Sequence, residues 1–392
     1  MDLVDACGLR LEASAPDVVA LVGGGGKSSF LFRLAHEVAS RGGRALITTT
    51  TRVALSQVQH MAGFVGMDGA DLPLPAIHAA LDAAGRCILV GLPWADKATG
   101  IPAAAVDELA ARSRELALAA VLVEADGSRQ LPVKAPASHE PVLPQSTTLL
   151  VPVAGLDGVG RPISVEQVHR PELVRALLGC NPDDPDLRLT PAMLARLMVH
   201  PDGGAKHRPA GARLLPVLNK ADSALRAAVG RLAADRLVRQ GHPALIASLR
   251  DAGRPVRERW APLAVVVLAA GQGSRMGGVK QVLVVDGEPL VRRAVRVALD
   301  ADARQVLVVT GAHAAGVQDA LASLLARNGG RLRLVHNPDW ASGQASSVHT
   351  ALRSLAGEIG AALFMPVDQP SLPSTLLRRM PVSYTHLTLP TN

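Results

Sequence analysis

Short aliphatic runs alternate along this chain with longer stretches whose apolar positions recur every three or four residues. VVALV (18–22), RALITTT (44–50), CILVGL (87–92), AAVLVEAD (119–126) and TTLLVPVAG (147–155) are nearly continuous apolar runs bounded by glycine or polar positions. A strand with one wet face alternates; a strand that is apolar throughout is buried on both faces, as in a parallel sheet covered by helices. Between these runs, residues 28–40 and 103–116 carry helical periodicity, and Thr190 with Pro191 form an N-cap and N1 pair that opens a helix reaching about residue 200. LLPVLNKAD (214–222) and ALIAS (244–248) supply further strands with a helix between them. The rhythm predicts βαβ units and a parallel sheet.

RDAGRPVRERWAP (250–262) is charged, proline-bearing and nearly free of aliphatic residues, which predicts a linker over 251–262. Beyond it AVVVLAA (264–270), QVLVVTG (305–311), RLRLVHN (331–337) and ALFMPVD (362–368) repeat the strand-and-helix rhythm. The expected organisation is a domain over 1–250, the linker, a second α/β domain over 263–380 and a tail over 381–392. PVSYTHLTLPTN contains no charged residue and the only tyrosine of the chain, so the tail reads as foreign and the second domain as incomplete. On that reading the aliphatic faces of AVVVLAA and ALFMPVD are partly exposed and the chain is a poor catalyst.

With 392 residues and 48% hydrophobic content, the chain can build two cores. No apolar run approaches the roughly 18 residues of a membrane span, and MDLVDACGLRLE is acidic where a signal peptide needs a basic start, so a cytoplasmic location without a membrane partner is expected. Cys7, Cys87 and Cys180 lie far apart and predict buried thiols, with neither a disulfide framework nor a zinc site. The net charge of +7 raises nucleic acid as a partner. Aromatic residues are only 2%, however, and no basic cluster is interleaved with stacking side chains, which argues against it. Arginine supplies most of the positive charge. Only six of the 41 basic residues are lysines, and Lys27, Lys134, Lys220 and Lys280 fall in motif-like loops, so lysine is expected to mark sites.

GGGGKSS follows the first aliphatic run. Glycine backbone at Gly23, Gly24, Gly25 and Gly26 can turn consecutive N–H groups toward an anion, Lys27 adds a point charge, Ser28 can reach Mg²⁺, and the helix that follows presents its positive end. The GxxxxGK[ST] phosphate loop also wants glycine where Leu21 stands, and a plain strand-to-helix turn is the alternative. Glu124 and Asp126, after another strand, are candidate Mg²⁺ carboxylates. Asn219, Lys220 and Asp222 form the N-K-x-D pattern by which a carboxylate accepts from guanine, although Asp222 can equally cap the next helix.

GGGGKSS, LITTTTRV, EADGSRQLPVKAP, VHRPEL and VLNKAD, in that order across about residues 1–250, resemble the YqeC-type family of accessory proteins of selenium-dependent molybdenum hydroxylases. The resemblance implies a P-loop NTPase-like parallel sheet domain that binds GTP or another nucleoside triphosphate, with a hydroxylase apo-enzyme as partner. It also marks Lys134, His169 and Arg170 as matching positions, each of which can equally be a loop anchor or a surface charge.

The second glycine loop, LAAGQGSRMGGVKQVL (268–283), is not a dinucleotide fingerprint, because Met276 stands where G-x-G-x-x-G needs its third glycine. With GEPL (287–290) it resembles the L-A-A-G-x-x-x-R-M-G-x-x-K loop of MobA-like nucleotidyltransferases, closest to molybdenum cofactor cytidylyltransferases. NPDWASGQASSVHTAL (337–352) and MPVDQPSL (365–372) resemble two further segments of that family. The resemblance implies a Rossmann-like nucleotidyltransferase (GT-A/MobA-like) fold, CTP and molybdopterin as substrates and Mg²⁺ on Asp368. It makes Arg275 and Lys280 the triphosphate's counter-charges and places Ala270, Gly271, Gly273, Ser274, Gly277, Asn337 and Gly343 around the nucleotide. Asp368 alone is also a turn former before Pro370. Guanylyl transfer to molybdopterin, sugar-nucleotide synthesis and a GTP-switched cofactor carrier remain open alternatives.

Overall fold

The computed structural model describes all residues except 13–14, 56–62, 70, 95, 183, 274–278, 358, 370 and 380–392. The chain divides into two compact units, Met1–Leu237 with His242–Arg259 and Val238–Gly241 with Trp260–Asn392. Among the described residues no helix is long and apolar enough to cross a membrane.

In the first unit the main strands are β1 (Asp17–Gly23), β2 (Arg44–Thr49), β3 (Phe64–Met67), β4 (Arg86–Gly91), β5 (Leu118–Glu124), β6 (Leu149–Gly155), β7 (Val217–Asn219), β8 (Ala244–Ala247) and β9 (Val256–Trp260). They lie in the order β9-β8-β7-β6-β1-β5-β2-β4-β3. Every pairing from β8 to β3 is parallel. Helices cover both faces, which is why the strands are apolar at successive positions. Val19 and Leu21 of β1 pack with Phe30, Leu31 and Leu34 of α1 (Lys27–Ser40). Val18, Ala20 and Val22 pack on the other face with Val106 and Leu109 of α2 (Ala103–Ala111). Later come α3 (Pro171–Leu178), α4 (Pro191–Val199) and α5 (Ala224–Arg239). Thr190 caps α4 as expected, accepting from Met193 N at 3.2 Å. Cys7 and Cys87 are buried free thiols, and burial pushes both up to about 12; Cys180 is half-buried.

Residues 256–260, expected within a linker, form β9 at the edge of this sheet. Val256 enters the core at 2% exposure, Glu258 pairs with Arg231 of α5 at 2.5 Å, and Arg259 Nε donates to Ala6 O at 3.3 Å. An edge strand carries charge on its open side, which gives it the composition of a linker. The strand β3 was also not anticipated.

Among the described residues the second unit holds a sheet of four parallel strands, β10 (Leu263–Ala269), β11 (Gln305–Thr310), β12 (Leu332–His336) and β13 (Ala361–Pro366), in the order β12-β11-β10-β13. Helices α6 (Leu290–Asp300) and α7 (Ala314–Asn328) lie over one face, and α8 (Gln344–Arg353) lies over the other. The expectation that β10 is partly exposed is corrected: Val265, Val266 and Val267 have no exposure, because β11 and β13 flank the strand and helices cover both sides. β13, at the edge, is half-buried at 361–364, as expected.

Candidate functional sites

The first site forms where β1, β5, β6 and β7 end along one edge of the sheet, the position at which open parallel sheets bind ligands. Its four glycines are fixed by crowding. A Cβ at Gly23 would stand 2.3 Å from Val153 O, at Gly24 2.4 Å from Leu131 O, at Gly25 2.3 Å from Gly155 N and at Gly26 2.3 Å from Asn219 Nδ2. Gly23, Gly25 and Gly26 also have positive φ.

Contrary to the sequence-based expectation, three of the loop's N–H groups are bonded within the protein and are not turned toward a ligand. Gly23 N donates to Asp126 Oδ2 (3.0 Å), Gly24 N to Val153 O (2.9 Å) and Gly25 N to Leu131 O (3.1 Å). Close packing of the loop against β6 and the segment that follows β5 captures them. The open donors are those of the first turn of α1, which begins with the bond Phe30 N to Gly26 O.

Lys27 is 3% exposed; its Nζ donates to Gly23 O at 2.7 Å and lies 3.2 Å from Asp126 and 3.5 Å from Glu124. Burial works against its charge, yet the two carboxylates outweigh burial and raise its pKa. Ser28 Oγ donates to Glu124 Oε2 at 3.0 Å, and both line a cleft of about 390 Å³. Hydroxyl and carboxylate side by side at the mouth of a helix suit Mg²⁺, which asks for few protein ligands. Asp126 does not share that role: it is 1% exposed and sits between Lys27 and Lys134 (3.0 Å), although its Oδ1 accepts no hydrogen bond. Among the described residues no three metal-ligating side chains cluster.

Asn219 joins the glycine loop, donating to Gly25 O at 2.8 Å and accepting from Leu249 N at 3.2 Å. Lys220, held at φ +66°, pairs with Asp157 at 2.7 Å and lines the cleft with Arg250. Asp222 does not line it, since its Oδ1 accepts from Ser248 Oγ at 2.5 Å. Nor does Asp222 cap α5: Ser223 takes that place, accepting from Arg226 N and Ala227 N. Lys134 is buried and donates to Glu140 (2.7 Å) and Gly127 O (2.7 Å), while Arg170 donates to both oxygens of Glu140. Lys134 and Arg170 are therefore anchors within an ionic chain. Burial would raise the Glu140 pKa, but the bonds from Arg170 and Lys134 prevail and hold it at about 2. His169 is lowered by burial and by its cationic neighbours. Sequence reasoning missed Glu140, Arg52, Arg129 and Arg250, which are distant in sequence or lie inside segments read for other residues.

In the second unit β10 and β13 are neighbours with Leu268 opposite Pro366, so the segments leaving them emerge side by side. Lys280, in a short 3-10 turn, makes an ion pair with Asp368, two residues past β13. The hydrogen bond from Lys280 is the main cause holding the Asp368 carboxyl below its usual value. Gln281, missed in the sequence, is 2% exposed and ties the loop's entry together, donating to Ala269 O at 3.1 Å and Gly271 O at 2.5 Å. Ala270 is buried, Gly271 is exposed with nothing near a would-be Cβ, and Gly273 has φ +72°. Asn337 is 1% exposed, and its amide is engaged by Ser346 (2.8 Å), Ser347 (3.0 Å) and Asp339 N (3.0 Å). It shapes the turn into α8, which Gly343 precedes at φ +116°, and does not offer a free amide. Ser274, Arg275 and Gly277 lie outside the described residues.

The YqeC protein family matches residues 19–172, and the MobA-like NTP transferase domain matches residues 265–386. The chain is 35% identical over 222 residues to the uncharacterized protein YqeC of Escherichia coli (strain K12), covering 56% of this chain and 82% of that one. Over 121 residues it is 37% identical to the bifunctional protein GlmU of Anaeromyxobacter sp. (strain Fw109-5), covering 30% of this chain but only 24% of that longer protein. A nucleotidyl transferase from Methanothermobacter thermautotroptrophicus is 30% identical over 31% of this chain and 56% of its own, at a TM-score of 0.27. The chain belongs to the YqeC family, with a MobA-like NTP transferase domain fused behind its YqeC domain.

Proposed function

We propose that the second unit transfers CMP from CTP to the terminal phosphate of molybdopterin, and that the first unit binds GTP in support of cofactor delivery to a selenium-dependent molybdenum hydroxylase. The observation that carries the transferase reading is the pairing of Lys280 with Asp368 beside a glycine loop, at the edge where two adjacent parallel strands end. A phosphate oxygen of the acceptor forms the new bond to the α-phosphorus, the bond to the β-phosphate oxygen breaks, and pyrophosphate leaves with that electron pair. The acceptor is already an anion, so no general base is required. Lys280 stabilises the charge that grows on the leaving group, and Asp368 is the carboxylate that would hold Mg²⁺, whose charge neutralises the phosphates when bound.

The accessory role rests on the family and on the cation-lined cleft beside Lys27. The test is competition binding and transfer with labelled CTP, GTP and UTP and purified molybdopterin. CTP is expected to be preferred. A tenfold preference for GTP in the second unit, about 1.4 kcal/mol, overturns the cytidylyl assignment and leaves nucleotidyl transfer standing.

A further inference from the structure

The first unit contains a second cleft that the nucleotide reading does not use. It has a volume of about 650 Å³ and is lined by Arg52, Lys97, Arg129, His169 and Arg170, together with Glu140 and Glu172. It abuts the 390 Å³ cleft of the glycine loop, and the two share Arg52, Gly127, Arg129 and Gln130 as a common wall.

Two further features set this wall apart. Among the described residues nine non-glycine positions have positive φ, and four of them, Arg129, Gln130, Arg170 and Lys220, line one cleft or the other. Arg129 and Gln130 are consecutive, at +51° and +63°. Left-handed backbone at non-glycine residues is unfavourable and concentrates where a side chain must be aimed at a ligand. Beneath the wall, ionic contacts run without a gap from one cleft to the other: Lys27 to Asp126 (3.2 Å), Asp126 to Lys134 (3.0 Å), Lys134 to Glu140 (2.7 Å) and Glu140 to Arg170 (2.7 Å). The chain fixes Arg170 relative to Lys27.

We propose that this cleft is a second substrate site, which takes a small phosphate-bearing molecule and holds it beside the nucleotide bound at the glycine loop. The proposal rests on the nucleotide reading of the first unit. Arginine suits the task because its planar fork pairs with two phosphate oxygens at once, and Arg129 lines both clefts, while the fork of Arg170 is held by Glu140 and sets the charge of the wall. Two carboxylates, Glu140 and Glu172, line the cleft against Arg52, Lys97, Arg129 and Arg170, and Glu140 keeps Arg170 in one orientation. The shared arginines place the anion next to the nucleotide's phosphates, as a phosphoryl or nucleotidyl acceptor would be placed.

The probe is inorganic phosphate, followed by the broadening of its ³¹P resonance on the full-length protein saturated with a non-hydrolysable GTP analogue, whose own binding is measured separately by fluorescence. The expected result is that broadening persists with the analogue bound and falls at least fivefold in both Lys97→Ala and Arg170→Gln, with analogue affinity changed less than twofold. Lys97 is an exposed residue, so its variant reports on the cleft even if Arg170→Gln disturbs the ionic chain. Loss of broadening on analogue binding, or broadening unchanged in Lys97→Ala, overturns the proposal. Failure of the analogue to bind overturns the nucleotide reading instead, and the same two variants titrated with phosphate alone still decide whether the second cleft binds it.

Discussion

The two glycine loops follow the same kind of buried strand and end in a lysine, yet they are built for opposite environments. In the first, every glycine is wedged against a neighbouring segment and Lys27 lies buried between carboxylates. In the second, Gly271 faces open space, and Lys280 and Asp368 meet at 26% and 46% side-chain exposure. The first loop is part of the core; its glycines answer to packing before they answer to any ligand. In the second, Gly271 leaves room for one.

The sharpest way to break this contrast is an alanine in each loop. Gly25→Ala meets backbone at 2.3 Å with φ at +78° and is expected to destabilise the first unit by about 3 kcal/mol. Gly271→Ala is expected to stay within about 0.5 kcal/mol. Chemical unfolding of each unit reads both, and equal losses would erase the distinction.

Truncating the lysines should separate stability from catalysis. Lys27→Ala leaves buried Asp126 and half-buried Glu124 short of a cation and is expected to cost about 3 kcal/mol in stability. Lys280→Ala breaks a largely exposed pair, worth less than about 1 kcal/mol, but should lower nucleotidyl transfer by roughly a hundredfold. Transfer rates that survive Lys280→Ala would remove that residue from the proposed chemistry.

Acid should find the first unit's ionic chain. Glu140 is held at about 2 when folded, below its ordinary 4.5, so its contribution is complete above pH 4.5 and is lost as pH falls toward 2. The first unit is expected to lose on the order of 2 kcal/mol across that window, and Glu140→Gln should flatten the dependence while lowering stability at neutral pH. An unchanged slope in the variant would show that other carboxylates govern acid unfolding.

The smallest expected effect concerns base choice. If Asp222 exchanges Ser248 for guanine when nucleotide binds, Asp222→Ala should reduce the preference for GTP over ATP by about tenfold, 1.4 kcal/mol. Equal binding of the two nucleotides by the unaltered protein would leave Asp222 as a partner of Ser248 and Arg226 only in the folding of the first unit.

Periodicity announced the strands at 18–22, 44–50, 87–92 and 119–126 and the helix at 28–40, because burial on both faces or on one stripe leaves a local signature. Lysine scarcity was also informative: Lys27, Lys134, Lys220 and Lys280 all take part in ion pairs, and Lys97 lines the second cleft. Other features were invisible along the chain. β9 was read as a linker because edge strands and linkers share a charged composition. Glu140 had no local signal, since its importance comes from Lys134 and Arg170 arriving from two other segments.

The order of apolar runs and the motif-bearing loops are properties of the sequence itself, since they depend on contacts among residues near in the chain and on chemistry that only certain side chains supply. That the first loop is packed, that the N–H groups of Gly23, Gly24 and Gly25 are bonded within the protein, and that Arg52, Arg129 and Arg170 line one cleft were decided by tertiary structure. Each depends on distances between segments far apart in the chain, and such distances are set only when the sheet orders its strands.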